Sequence, residues 1–231
     1  MGGKSKLARQ IINKFPDFKT YVEPFLGAGN IFLRMPHHLI HDKQIILNDI
    51  DFDIYYIFSQ LQKNGELIDK TIQRTKPSKE EFEKCKTSND PCSLITKYRY
   101  SFYCKGENYA PSKNYGNSTD YALIGNKLQG TLITNSSFEY IIELFDNSNT
   151  FFYLDPPYEN TKQTDYDDYV TPQQVLEAVK TIKGKFLLSY NDRPSIRELF
   201  KDFKIETITT QYSPVNNLSY RSKNELLISN Y

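Results

Sequence analysis

Seven short runs rich in β-branched, leucine and aromatic side chains punctuate this sequence and constrain its fold more than any other feature. They span residues 20–25, 44–48, 131–134, 150–154, 185–189, 204–209 and 225–229. Several are apolar at most positions, as strands covered on both faces are, and too short for helices. Between them, residues 6–14, 54–63, 172–182 and 194–200 carry helical periodicity. Pro172 and Pro194 stand where a first helical turn begins and a missing N–H costs nothing, and Thr171 is a good cap for the third helix. Strands alternating with helices predict an α/β architecture.

The stretch 65–130 breaks the alternation. It is polar, rich in Lys and Tyr, and interrupted by Pro77, Pro91 and Pro111. At 231 residues the chain can bury one good core and carry a smaller insertion. The expected organisation is therefore a main domain from 1–64 and 131–231, with 65–130 inserted. Within the insertion, Lys97-Tyr98-Arg99-Tyr100-Ser101-Phe102-Tyr103-Cys104-Lys105 interleaves bases with rings. That pattern suits phosphate contact plus base stacking, and an ordinary amphipathic helix accounts for it equally well. A net charge of +1 neither demands nor excludes a nucleic-acid partner. Cys85, Cys92 and Cys104 lack the paired spacing of a zinc site, and His37, His38 and His41 have no cysteine nearby, so no metal is expected. No apolar run approaches a membrane span, and the opening has no apolar stretch like a secretion signal, so an intracellular protein is expected.

The strongest chemical signal is Tyr153-Leu154-Asp155-Pro156-Pro157-Tyr158, an apolar strand that ends in an acid, two prolines and an aromatic ring. The prolines fix the backbone and donate no hydrogen bonds, so the turn exposes carbonyl oxygens and holds the acid at the strand's carboxyl end. Open α/β sheets bind ligands there. An exocyclic amine on adenine or cytosine is a poor nucleophile, because its lone pair is delocalised into the ring. A carboxylate and a backbone carbonyl accepting its two N–H protons would stabilise the positive charge that develops during methyl transfer. Asp155 and the Pro156 carbonyl fit those roles, with Pro157 holding the turn and Tyr158 placed to stack on a base taken out of the duplex.

A second strand, Tyr21-Val22-Glu23, runs into Pro24-Phe25-Leu26-Gly27-Ala28-Gly29-Asn30. Glycines let backbone approach a ligand closely, and the Glu23 carboxylate can meet a cationic amino group. The third glycine of the dinucleotide fingerprint is absent, which disfavours nicotinamide cofactors. About twenty residues on, Asn48-Asp49-Ile50-Asp51 ends the next strand in acids, the spacing at which an acid holds ribose hydroxyls. Asp49 is the candidate for that role, and Asp51 is placed to cap the following helix. Gly3-Lys4-Ser5 looks like the end of a phosphate-binding loop, but the upstream glycine and strand are missing.

These segments together resemble the Dam family (class D12) of DNA adenine-N6 methyltransferases. The likeness runs through Gly2-Gly3-Lys4 with Leu7 and Ile11, the glycine turn, Asn48-Asp49-Ile50 and the Asp-Pro-Pro-Tyr turn. It continues in Leu188-Ser189-Tyr190-Asn191-Asp192 and in Asn224-Glu225-Leu226-Leu227-Ile228-Ser229-Asn230-Tyr231. The resemblance implies a Rossmann-like sheet, S-adenosylmethionine as cofactor, double-stranded DNA as partner, and an inserted, mostly helical region that recognises the target. It also implies that Gly3 and Lys4 border the cofactor's methionine end, that Glu23 and Phe25 bind it, and that Asp49 holds its ribose. Pro24, Gly27, Ala28, Gly29, Asn30, Ile50 and Asp155 would complete that pocket. Lys97, Arg99, Tyr100, Lys105 and Asn108 would help Tyr158 engage DNA. The family commonly has Asn-x-Asp-Phe where this chain has Asn135-Ser136-Ser137-Phe138, so Ser137 replaces an acid that contacts the cofactor's adenine, and Phe138 is expected to stack on that ring. The resemblance favours N6 of adenine as target. Cytosine N4, which the same turn would serve, and a DNA-binding remnant without methyl transfer are the alternatives.

Overall fold

The computed structural model describes residues 3–72, 76–101, 106–110, 119–158, 170–211 and 222–231. In chain order the elements are α1 (Gly3–Ile12), β1 (Thr20–Glu23), α2 (His37–Ile40), β2 (Gln44–Asn48), α3 (Phe52–Thr71), α4 (Lys79–Lys86), α5 (Pro91–Arg99) and α6 (Tyr121–Lys127). There follow β3 (Leu132–Thr134), α7 (Phe138–Phe145), β4 (Thr150–Leu154), α8 (Pro172–Thr181), β5 (Lys185–Asn191), α9 (Pro194–Leu199), β6 (Lys204–Gln211) and β7 (Ser222–Ser229). The chain divides into two compact units, one of residues up to Ile50 together with Thr134–Tyr231, the other of 51–133. The expected insertion, 65–130, lies inside the second unit, which also takes in α3.

The seven-stranded sheet has the order β3-β2-β1-β4-β5-β7-β6. β1 pairs in parallel with both β2 and β4, and β4 with β5, whereas β7 runs antiparallel between β5 and β6. Every residue of β1 and β4 is buried, which explains why Tyr21-Val22 and Phe151–Leu154 carry apolar or aromatic side chains without alternation. One face of the sheet packs Val22, Ile46, Phe152, Leu154, Phe186, Leu188 and Ile228 against Ile141 and Ile142 of α7 and Val175, Leu176 and Val179 of α8. On its other face Phe15 and Phe18 meet the rings of Tyr21 and Phe151, with Phe15 also against Tyr153. Each such side chain contributes about 1.5–3 kcal/mol by leaving water. Thr171 caps α8 reciprocally with Gln174, and Asp51 caps α3 by accepting from the Asp53 N–H, as the sequence suggested.

Strand order reverses between β1 and β4, the first leading outward to β2 and the second outward to β5. Their carboxyl ends therefore open onto a switch point, and the two motif-bearing turns both leave from there. Because β7 is antiparallel, its early residue Glu225 lies opposite Asn191 at the carboxyl end of β5 and so reaches the same edge.

In the 51–133 unit, α3 and α6 cross with Gly65 against Gly125, where a Cβ on either would stand about 3.0 Å from the other's Cα. Asn64, just before, departs from helical geometry at φ −135°. α5 is tied to α3 through Asp53, which receives the Lys97 ammonium at 2.7 Å and the Tyr98 hydroxyl at 2.9 Å. No helix among the described residues is long and apolar enough to cross a membrane.

Candidate active site

β4 carries Tyr153 and Leu154 into the sheet and delivers Asp155 at its edge, three-quarters buried along its side chain. Three donors converge on one oxygen of that carboxylate, Oδ1: the Ser189 hydroxyl at 3.0 Å, the Lys4 ammonium at 3.2 Å and the Tyr158 hydroxyl at 3.4 Å. Oδ2 has no partner among the described residues. Lys4 and the Tyr158 hydroxyl also both engage the Glu225 carboxylate, which is 4% exposed. Lys4 stands 5.3 Å from the centre of the Tyr158 ring, and the Tyr190 ring lies 5.7 Å from it. Burial, with Asp155 and Glu225 alongside, raises the pKa of the Tyr158 hydroxyl well above its ordinary value, which keeps it a donor at neutral pH.

Across the switch point, Glu23 ends β1 at 2% exposure. Its carboxylate accepts from the Tyr21 hydroxyl at 2.8 Å. Burial is the main cause that lifts its pKa to about 8; the Tyr21 and Phe32 hydrogen bonds pull the other way, and the negative charges of Asp155 and Asp49 add to the rise. The turn that follows is held by backbone bonds from Leu26 N–H to the Asn48 carbonyl and from Gly29 N–H to the Leu26 carbonyl, both 2.8 Å. Gly27 and Gly29 adopt φ of 51° and 63°, conformations that glycine takes without strain. Open space lies where a Cβ on Gly27 would stand, so the backbone is bare on that side. The Gly27 N–H donates to the Asp49 carboxylate at 2.7 Å, tying the acid after β2 to the turn after β1.

Asn48 organises this edge. Fully buried, it donates through Nδ2 to the carbonyls of Pro24 and Ser136, at 3.0 and 2.9 Å. Its Oδ1 accepts from the Thr134 hydroxyl at 2.8 Å and the Ser136 N–H at 3.0 Å. One side chain thus pins the ends of three strands, leaving Ile50 65% exposed beyond them.

The structure brings Lys4, Glu23, Pro24, Phe25, Gly27, Asp49 and Asp155 through Tyr158 to this edge of the sheet, while Ala28 is exposed and Gly3 begins α1. Asn30 closes on the local helical turn, accepting from Arg34 through both its carbonyl and its Oδ1. Ser137 is the N-cap of α7, accepting from the Tyr140 N–H at 3.3 Å. Phe138, expected to stack on the cofactor's adenine, is 5% exposed, with its ring 5.0 Å from that of Phe25. Arg99 and Tyr100, expected to contact DNA, are 8% and 2% exposed, and Arg99 donates to the Tyr121 hydroxyl of its own unit. Lys97 is held on Asp53, Asn108 is exposed, and Lys105 lies outside the described residues. Sequence reasoning assigned no role to Ser189, Glu225 or Asn48, whose meaning lies in contacts with distant parts of the chain.

A family model described as D12 class N6 adenine-specific DNA methyltransferase matches residues 1–91 and 94–213. Among relatives, the DNA adenine methylase of Haemophilus influenzae is 26% identical over 99% of this chain and 90% of its own. The Type II methyltransferase M.CviBI of Paramecium bursaria Chlorella virus NC1A is 23% identical over 91% of this chain and 86% of its own. Among solved structures, the precorrin-6Y C5,15-methyltransferase of Geobacter metallireducens covers 97% of this chain and 87% of its own at 8% identity, with a TM-score of 0.47.

Proposed function

The chain belongs to the D12 class of N6 adenine-specific DNA methyltransferases, and from that premise we propose how its residues divide the transfer of a methyl group from S-adenosylmethionine to N6 of adenine in double-stranded DNA. When bound, S-adenosylmethionine supplies an electrophilic methyl carbon whose bond to sulfur breaks as the bond to N6 forms, and N6 then gives up a proton to water. The residues present suit such a donor. The bare backbone at Gly27 lets a ligand lie close, Asp49 at the end of β2 offers a carboxylate for ribose hydroxyls, and Glu23 is a buried acid that a cationic group would ionise.

Asp155 acts on the target amine. Its Oδ2 accepts one N–H of N6 and the Pro156 carbonyl accepts the other, so positive charge growing on nitrogen meets two fixed acceptors. The observation that carries this reading is a carboxylate at the end of a central parallel strand, beside the switch point, held among the described residues through one oxygen only. Tyr158, whose hydroxyl is held by Glu225, takes the face of the extruded base. The 51–133 unit reads the surrounding sequence. The enzyme works where the cell or host keeps its DNA.

Asp155→Ala should lower the rate of methyl transfer to duplex DNA at least about a hundredfold, the scale of losing one preorganised charge stabiliser. Cofactor affinity and thermal stability should change little. Labelled methyl transfer with mass spectrometry of the product nucleoside checks this. A near-wild-type rate, or methyl found anywhere but adenine N6, would overturn the reading.

A further inference from the structure

Which oxygen of Asp155 faces the amine is not settled by the side chain itself, because rotation about its last bond is broad and nearly two-fold. The protein settles it. Ser189 is fully buried on β5, one residue beyond the Leu154–Leu188 register pair, and so level with Asp155. Its Oγ has three polar neighbours: Asp155 Oδ1 at 3.0 Å, the Tyr153 hydroxyl at 3.1 Å and the Leu154 carbonyl at 3.4 Å. A serine hydroxyl has one proton, and a carboxylate is the strongest acceptor of the three, so Ser189 donates to Asp155 and accepts from Tyr153. Tyr153 is itself fully buried, and desolvation raises its pKa well above the ordinary value, so it remains a donor.

We infer that Ser189, with Tyr153 behind it, is a positioning residue that gives the two oxygens of Asp155 separate tasks, Oδ1 to the protein and Oδ2 to the target amine. The other two donors on Oδ1 are shared. Lys4 and Tyr158 each also bind Glu225. Ser189 alone is held within the sheet, so its hydrogen bond survives substrate entry and keeps Oδ2 outward. The charged and titratable groups facing Asp155 are Lys4 from α1, Glu225 from β7, Glu23 from β1 and the two tyrosines; of the three donors on Oδ1 only Ser189 stands on a strand, opposite Leu227 of β7 and one residue past the Leu154–Leu188 pair.

This inference rests on the role proposed for Asp155, and the experiment separates the two. In the full-length enzyme, Ser189→Ala should lower kcat about ten- to a hundredfold, the scale of one hydrogen bond to a charged group. KM for S-adenosylmethionine and for DNA should stay within about twofold, because the bond acts on the reacting group and not on uniform binding. In an Asp155→Ala background the same substitution should cost no further rate, whereas loss of packing would slow both backgrounds alike. Ser189→Cys, which fills the site with a poorer donor, should also lower kcat and serves where the alanine variant does not fold. A Ser189→Ala or Ser189→Cys enzyme at wild-type kcat beside a crippled Asp155→Ala enzyme sinks the inference alone. An Asp155→Ala enzyme at wild-type rate sinks the reading of Asp155 beneath it.

Discussion

Glu23 is an acid placed where folding disfavours its charge. Its carboxyl titrates near pH 8 in the folded protein against an ordinary value of 4.5, and burial is the main cause. Between those values the folded chain holds a proton that the unfolded chain has lost, so stability falls as pH rises from about 4.5 to about 8 and then levels. Glu23→Gln keeps an acceptor for the Tyr21 hydroxyl and removes the titration. Its melting temperature should therefore exceed that of the wild type by an amount that grows across that window and is constant above it. Cofactor affinity should respond in the opposite sense. In the wild type a cation bound beside Glu23 ionises it, so affinity rises with pH toward about 8. The glutamine variant should bind more weakly and without that slope, as calorimetry across pH would show; a slope kept in the variant assigns the proton to another group. Ser137 offers a second test at this scale. As the N-cap of α7 it can be exchanged for aspartate without losing the cap. If the acid usual in the family contacts the cofactor, Ser137→Asp should tighten S-adenosylmethionine binding by about 0.5–1.5 kcal/mol, one added hydrogen bond. Unchanged affinity would leave Ser137 as a cap alone.

Among elements, the strands were legible because they are buried on both faces, so that runs such as Thr150–Leu154 show their position in every residue. Helices were less legible. α7, Phe138–Phe145, went unnoticed because it is only eight residues long, although its buried residues Phe138, Ile141 and Ile142 stand at helical spacing. In α5 the alternation of bases and rings suited two readings, and only its packing shows that Arg99 and Tyr100 turn inward. α3 extends to Thr71, well beyond the expected 54–63, because Gly65, which on its own argues against a helix, is there to admit α6. That crossing makes a prediction. A Cβ on Gly125 would lie 2.5 Å from the Leu61 carbonyl oxygen and 3.0 Å from the Gly65 Cα, and backbone on both sides has little room to yield. Gly125→Ala should destabilise the 51–133 unit by about 1–3 kcal/mol, the usual cost of overpacking. Hydrogen exchange should quicken in α3 and α6 and DNA binding weaken, with cofactor affinity intact. Exchange rates equal to the wild type's would show that the crossing adjusts. The site was legible where its meaning is local, in the Asp-Pro-Pro-Tyr and glycine turns. It was hidden where partners are far apart in sequence, as Ser189 and Glu225 are from Asp155 and Tyr158.

Seen whole, the chain is one sheet-centred unit interrupted by another, and composition placed the interruption at 65–130 because polarity and prolines mark loops and short helices better than they mark α3. Contacts draw the limits at 51 and 133. On the sheet-centred side the two points of departure and return lie together. The Asp49 N–H donates to the Thr134 carbonyl at 3.3 Å, and Asn135 Nδ2 donates to the carbonyls of Asp49 and Ile50 at 2.8 and 2.9 Å. Asn48, bonded to both Thr134 and Ser136, locks the same junction from beneath. Whatever chain runs between these points must bring its two ends within a hydrogen bond of each other there. Lengthening or replacing it adds a closure cost that grows only with the logarithm of its length. Descendants of such a protein can therefore trade their middle for a foreign one while inheriting the chemistry untouched, as a tool keeps its handle through many changes of blade.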